Sequence, residues 1–177
     1  MDNIFTDKDY NSNDGMLTYV WGPALWHSLH TISFNYPVKP TKEQQKDYYI
    51  FFTSLKNTLP CKYCRDNYEK NLEMLPLDMK ALKNRDSFSR WVYKMHELVN
   101  KHLDKKSNLR YEDVRNRYEH FRSRCLVDPK EKKKESKKDT GCTEPLYGVK
   151  SKCVINIVPK DSKKTTFTID DKCKFNR

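Results

Sequence analysis

Between residues 20 and 125 the apolar positions recur every three or four residues, and proline or short polar runs interrupt them at regular intervals. Residues 22–36, "GPALWHSLHTISFNY", put Leu25, Leu29, Ile32 and Tyr36 on one helical stripe. Trp26 and His30, four apart, fall on a neighbouring stripe, so their rings face the same side. "YPVKPT" ends that helix because proline cannot continue it. Residues 42–57 repeat the pattern with Tyr48, Phe52, Leu55 and Leu59. Pro60 breaks this second helix and opens a third, which carries Cys61, Cys64, Tyr68, Leu72 and Leu75. "MLPLDMKALKNRDS" reads as a connection with a short turn. Residues 87–103 form the clearest helix, with Ser87 as its N-cap. Trp91, Met95 and Leu98 make one row; Val92, His96, Val99 and Leu103 make the next. Residues 111–125 close the series with Tyr111, Val114, Tyr118, Phe121 and Cys125. About five helices on short links predict an all-α chain folded as a helical bundle.

The flanks differ from this centre. Residues 1–19 are a polar lead, and "KEKKKESKK", residues 130–138, is a solvated charge run of linker type. Beyond it "CVINIV" and "TTFTI" are β-branched and predict one small hairpin, marginal on its own in water. The chain thus divides into a lead (1–19), a helical domain (20–125) and a basic, cysteine-containing extension (126–177). Four glycines in 177 residues argue against glycine-rich phosphate loops and a turn-dense β domain. The formal net charge of +11 suits a solvated basic tail or an acidic neighbour. The lysine run lacks the interleaved aromatics of a strand-binding groove, so nucleic acid is not the expected partner. The opening "MDNIFTDKDYNSNDGM" has neither the basic start nor the apolar stretch of a secretory leader. No apolar run approaches the length of a membrane span. These features predict a soluble, cytoplasmic chain with no membrane partner.

Six cysteines then carry the chemistry. In a reducing compartment such a set is more often redox-active, catalytic or metal-binding than structural. Cys61 and Cys64 form a C-x-x-C after a proline and before a helix. A disulfide across so short a loop is a weak staple, worth roughly 2 kcal/mol by chain entropy. A structural zinc site needs four ligands, and no second C-x-x-C is present, so no metal site is expected. A redox pair fits best: a helix N-terminus presents free N–H groups and positive potential to a thiolate, and Lys62 and Arg65 add to it. A pair of this kind in a helical setting needs somewhere to send two electrons, which raises the question of a cofactor.

"YVWGPALWHSLHTISFNYP", residues 19–37, is by itself as readily core packing as a cofactor box. Taken with the C-x-x-C and with "WVYKMHELVNKHLDK", it resembles the Erv/ALR family of FAD-linked sulfhydryl oxidases. The resemblance covers roughly residues 18–125, with three blocks in the family's order, and is greatest to its viral members. It implies a four-helix bundle with a short fifth helix, usually a homodimer, holding FAD in the bundle mouth beside Cys61 and Cys64. It implies that Trp26 and His30 pack around the flavin with Trp21, Gly22 and Tyr36 near it. Trp91, His96 and Asn100 would serve the adenine and ribose, Val99 and Leu103 would complete the set, and Lys105 would lie near the phosphates. The implied reaction joins substrate thiols into disulfides: a thiolate attacks Cys61, Cys64 leaves, and electrons pass through FAD to oxygen, giving hydrogen peroxide. Dithiol proteins and oxygen are then the partners, in the host cytoplasm or the virion for a viral source. Glu97 departs from the asparagine usual after the histidine. Many members carry a structural disulfide near the last helices, where this chain has only Cys125, read here as a buried thiol. The tail has no shuttle C-x-x-C. Cys142, Cys153 and Cys173 could relay substrate electrons to Cys61 or simply make a structural disulfide, and the hairpin slightly favours the second. The other readings are a non-enzymatic helical module that binds zinc or a polyanion, and a flavin-free thiol carrier.

Overall fold

Polar side chains decide where the helices begin. Thr6 caps the four-residue α1 (Asp7–Tyr10), Thr41 caps α3 (Lys42–Thr58) and Asn84 caps α5 (Arg85–His102). Each of the three is a full capping box, with the side chain of the third helical residue returning a hydrogen bond to the cap. Ser87 is therefore the reciprocal partner of the α5 box and not its N-cap, and the helix starts two residues earlier than the apolar rows suggest. The helix predicted at 22–36 is α2 (Thr18–Phe34), which holds Pro23 in its first turns. Pro23 is the sixth helical residue, so its ring forgoes the bond that an N–H there would give the Tyr19 carbonyl, near the exposed start of the helix. α4 (Lys62–Met74) follows Pro60, and a 3-10 turn (Ala81–Lys83) supplies the short turn expected in the connection. α6 (Tyr111–Glu119) is shorter than the 111–125 span predicted.

This computed structural model describes residues 5–123, Cys142 and Leu146, and the backbone of two short strands. They fall into two compact units, Met1–Tyr111 and Glu112–Arg177. In the first unit α2 packs on α5, α3 on α4 and α4 on α5, a bundle of four helices. Among the described residues no helix is long and apolar enough to cross a membrane.

The bundle core is aromatic at its centre. Phe88, Tyr36 and Phe52 are 0–1% exposed. Phe88 touches four rings, those of Tyr36, Tyr48, Phe52 and Trp91, at centroid distances of 4.7 to 6.1 Å. Edge-to-face and offset contacts of this kind add to the burial of the rings themselves. The polar tips are satisfied: Tyr36 Oη donates to the Leu82 carbonyl and Tyr68 Oη to the Phe52 carbonyl. Asn71 is the exception. It is fully buried on α4, and neither end of its amide has a hydrogen-bond partner among the described residues.

The end of this unit is held without a described covalent link. Tyr111 Oη lies 2.8 Å from Ser89 Oγ, its ring sits under the Arg90 guanidinium at 3.8 Å, and Tyr93 packs edge-on against it. Tyr93 Oη donates to the Leu109 carbonyl. In the second unit, strands β1 (Cys153–Ile155) and β2 (Phe167–Ile169) pair antiparallel with Val154 opposite Thr168, the hairpin that the β-branched runs predict. Cys125 and Cys173 lie outside the described residues.

Candidate functional site

Cys61 is the N-cap of α4. Its sulfur accepts the Cys64 backbone N–H at 3.3 Å, and its carbonyl accepts the Arg65 N–H. The expectation that Pro60 opens the helix shifts by two residues: Pro60 stands before the cap, and the first cysteine sits at the mouth of the free amides. A sulfur in that place is aimed at the positive end of the helix, where charge on it is favoured. Arg65 reaches back to the Leu59 carbonyl at 2.7 Å and is held close to the pair. Both thiols are free and half-buried. Burial pushes the Cys64 thiol up to about 12; the neighbouring Cys61 sulfur adds to the rise, and Arg65 opposes it. When both sulfurs are reduced, Cys64 keeps its proton at neutral pH. Cys64 also packs against the hydrophobic core, as do Trp21, Leu25 and Trp26 on α2.

The spacing that placed Trp26 and His30 on one side of a helix holds, and His96 of α5 joins them. Trp26 and His96 stack in parallel, 4.0 Å between centroids and 4° between planes. His30 Nε2 lies 3.0 Å from His96 Nδ1, so one ring donates and the other accepts. That bond fails once both rings are protonated. Burial first, and the charges of His96 and His27 with it, lower His30 to about 3. Burial also lowers His96 to about 4, with Glu97 raising it and Lys105 lowering it. Both rings are therefore neutral at physiological pH.

Past this cluster α5 runs out of cover. Val99 and Asn100 are half-buried and Leu103 is 56% exposed, although all three continue the stripe of His96. The helix ends in a Schellman turn. Asp104 adopts φ 52°, its N–H bonds the Lys101 carbonyl, and the Lys105 N–H bonds the Asn100 carbonyl at 2.9 Å. This turn brings Lys105 back to Asn100, whose side chain donates to Glu97. Glu97, the departure from the expected asparagine, thus engages the neighbouring Asn100.

The remaining expected site residues lie elsewhere. Trp91 is 4% exposed and belongs to the Phe88 cluster, with its indole N–H shared between the Leu75 and Pro76 carbonyls. Tyr36 is in the same buried cluster. Trp21 donates its indole N–H to the Met16 carbonyl, and Gly22 has open space where a Cβ would stand. Cys142 is disulfide-bonded, to a side chain outside the described residues, and Cys153 opens β1. Among the described residues no three His, Cys, Asp or Glu side chains converge as a metal set. Parallel aromatic faces, neutral imidazoles and an uncovered apolar stripe that ends in an amide and a lysine suit a cofactor with flat rings and phosphates.

Comparison with known proteins agrees with this chemistry. A family model described as the Erv1 / Alr family matches residues 23–119, which takes in every expected site residue of the bundle except Trp21 and Gly22. The chain is 37% identical over 86 residues to a probable FAD-linked sulfhydryl oxidase of Acanthamoeba polyphaga mimivirus, covering 49% of this chain and 60% of that one. It is 36% identical over 84 residues to the FAD-linked sulfhydryl oxidase ERV1 of Arabidopsis thaliana, covering 48% and 42%. The chain thus spans about half the length of the curated relatives it matches. Among solved structures, the FAD binding domain of Erv1 from Saccharomyces cerevisiae superposes with a TM-score of 0.53 at 25% identity, over 58% of this chain and 94% of that one. With the family match running over more than half of its 177 residues, and with the C-x-x-C and the aromatic cluster both inside that match, the chain belongs to the Erv1/Alr family.

Proposed function

We propose that the chain is an FAD-dependent thiol oxidase that makes disulfides in substrate proteins. The observation that carries this reading is the pairing of a C-x-x-C at the mouth of α4 with the Trp26–His30–His96 cluster in one bundle. The relatives' names support FAD as the group bound there. Trp26, His30 and His96 would hold its rings, while Val99, Asn100 and Leu103 would flank it and Lys105 would serve its phosphates. When bound, FAD would supply the two-electron chemistry that links the reduced cysteines to oxygen, with hydrogen peroxide as the product.

The chain's own residues do the thiol chemistry. A substrate thiolate attacks Cys61 Sγ of the oxidised pair, the Cys61–Cys64 bond breaks, and Cys64 leaves as thiolate. A second substrate thiolate attacks the mixed disulfide and releases Cys61, so the substrate gains one disulfide and the pair holds two electrons. The burial that lifts Cys64 makes it the sulfur that re-protonates, and its proton must leave before those electrons do. Neutral His30 and His96 keep charge away from the ring slot.

Replacing Cys64 by serine is the direct test. The Cys64→Ser chain keeps its yellow cofactor and its melting temperature, and its oxygen uptake with dithiothreitol falls to background. Normal uptake by that variant would overturn the mechanism, and a chain that cannot be loaded with FAD would overturn the reading. The working unit under this reading is a homodimer. What supports it is the run Tyr49, Ile50 and Phe51, 44–52% exposed on α3. Sedimentation equilibrium should give twice the chain mass. For a viral source the site of action is the host cytoplasm or the virion, which fractionation of infected cells would check.

A further inference from the structure

The polar lead is not loose where it passes the redox pair. The Met16 N–H donates to the Pro60 carbonyl at 2.8 Å, and the Trp21 indole N–H donates to the Met16 carbonyl at 3.0 Å. Between them the chain lies against Cys61. A Cβ added at Gly15 would meet the Pro60 oxygen at 2.8 Å and the Cys61 Cα at 3.1 Å. Both are backbone atoms, so glycine is what lets the strand of chain pass so close. Residues 14–17 therefore form a strap along the backbone of the first cysteine.

The side chains beside that strap are apolar and wet. Met16 is 68% exposed, Leu17 61%, and Tyr63, two residues beyond Cys61, is 79% exposed. Scattered exposed apolar residues need no explanation. Met16 and Leu17 follow the glycine that rests on the Cys61 backbone, Tyr63 lies in the first turn of the helix that Cys61 caps, and the geometry of exchange says what meets them. In a mixed disulfide the two Cα atoms stand about 5.5–6 Å apart. The substrate backbone on either side of its cysteine must then run along the strap and the first turn of α4. We propose that Met16, Leu17 and Tyr63 form a docking rim for the cysteine-bearing segment of the substrate protein, selecting cysteines flanked by apolar side chains. Such segments are exposed in chains that have not finished folding, the stage at which disulfides are made.

This inference deepens the thiol-oxidase reading and rests on it for the exchange at Cys61. Its test needs neither flavin nor oxygen. Cys61 of the Cys64→Ser chain is loaded as its mixed disulfide with 2-nitro-5-thiobenzoate, and a peptide thiol is added. The peptide thiolate attacks Cys61 Sγ, the S–S bond to the dye breaks, and the coloured thiolate is released one for one. Release from other cysteines is subtracted with the Cys61→Ser, Cys64→Ser double variant. Two single-cysteine peptides serve as probes, one flanked by leucine and phenylalanine, the other by serine.

The expected result is exchange about tenfold faster for the apolar peptide at low concentration, a difference of about 1.4 kcal/mol. In the Met16→Ser, Leu17→Ser, Tyr63→Ser variant that advantage falls below about twofold while exchange with dithiothreitol is unchanged. Gly15→Val, which displaces the strap but keeps all three rim side chains, lowers the advantage as well. Equal rates for the two peptides, or an advantage that survives the triple variant or Gly15→Val, would overturn the rim. Failure of the oxidase reading would look different: loaded wild-type protein would take up no oxygen with dithiothreitol, whatever the peptides did.

Discussion

Two aromatic clusters stand in the same bundle and are built for different work. The Phe88 cluster is closed at its centre: its rings meet mostly edge to face or tilted, and the Tyr36 hydroxyl and the Trp91 indole are tied to backbone carbonyls. The Trp26 cluster is part-covered: a tryptophan and a histidine lie flat on each other, a second histidine is hydrogen-bonded to the first, and the α5 stripe beyond them is half bare. A closed set of perpendicular rings maximises packing, whereas a stack beside an open stripe leaves room for a further ring. If the Trp26 cluster is the site proposed above, residue type does not separate core from site. The degree of cover and the presence of titratable rings do.

The contrast can be broken by paired truncations. Phe88→Ala empties the centre of the sealed cluster and should cost about 3–5 kcal/mol of stability. Trp26→Ala, at a half-buried ring, should cost about 1–2 kcal/mol. The cofactor should respond in the opposite order, with flavin content per chain lost in Trp26→Ala and kept in Phe88→Ala below its melting point. Denaturant unfolding and the visible spectrum of one preparation measure both. Equal losses of stability would erase the distinction.

Acid sharpens it. Unfolded, each histidine takes a proton near pH 6.5. Folded, His30 does so only near 3 and His96 near 4. The unfolded state thus binds more protons between those values, so the stability of the neutral pair is fully present above about pH 6.5 and is lost as pH falls toward 4. The melting temperature should be lower at pH 5 than at pH 7, and His30→Gln should flatten that slope. The Phe88 cluster has no histidine and adds nothing to it. A slope that His30→Gln leaves intact would assign the effect to other groups.

The smallest effect is expected at Asn71. An unpaired buried amide carries its desolvation penalty without return, so Asn71→Leu should raise stability by about 1 kcal/mol. A loss of stability on thermal unfolding would count against the amide being unsatisfied.

The sequence carried the helices and part of the site. Helical spacing alone sets Trp26 beside His30, and of the stripes of α3 and α4 Phe52, Leu55, Leu59 and Tyr68 are buried while Tyr48, Leu72 and Leu75 are half-buried. Trp91 and Trp26 look alike in a motif, however, and only packing sends one to the core. Phe88 is masked in the sequence by its polar neighbours "DS" and "SR", although a count back from Val92 and Met95 reaches it. The turn that returns Lys105 to Asn100 has no glycine to announce it, since Asp104 takes the left-handed conformation instead. The strap was illegible for a different reason: Met16 and Pro60 are 44 residues apart, and no local pattern encodes a bond of that span. Cysteine is likewise no usual cap, so the sequence reads the start of α4 two residues early, at Pro60.

That cap has a thermodynamic consequence. Most helices begin on a side chain whose chemistry never changes, but under the proposed function α4 begins on a sulfur that alternates between thiol and disulfide. Losing a side-chain cap weakens a helix start by about 1 kcal/mol. The fraying of the first turn of α4 and the oxidation state of the pair are therefore linked functions. A contact that tightens the turn more in one state of the pair than in the other then shifts the balance between dithiol and disulfide by that difference, and deuterium exchange at the Cys64 amide reports it.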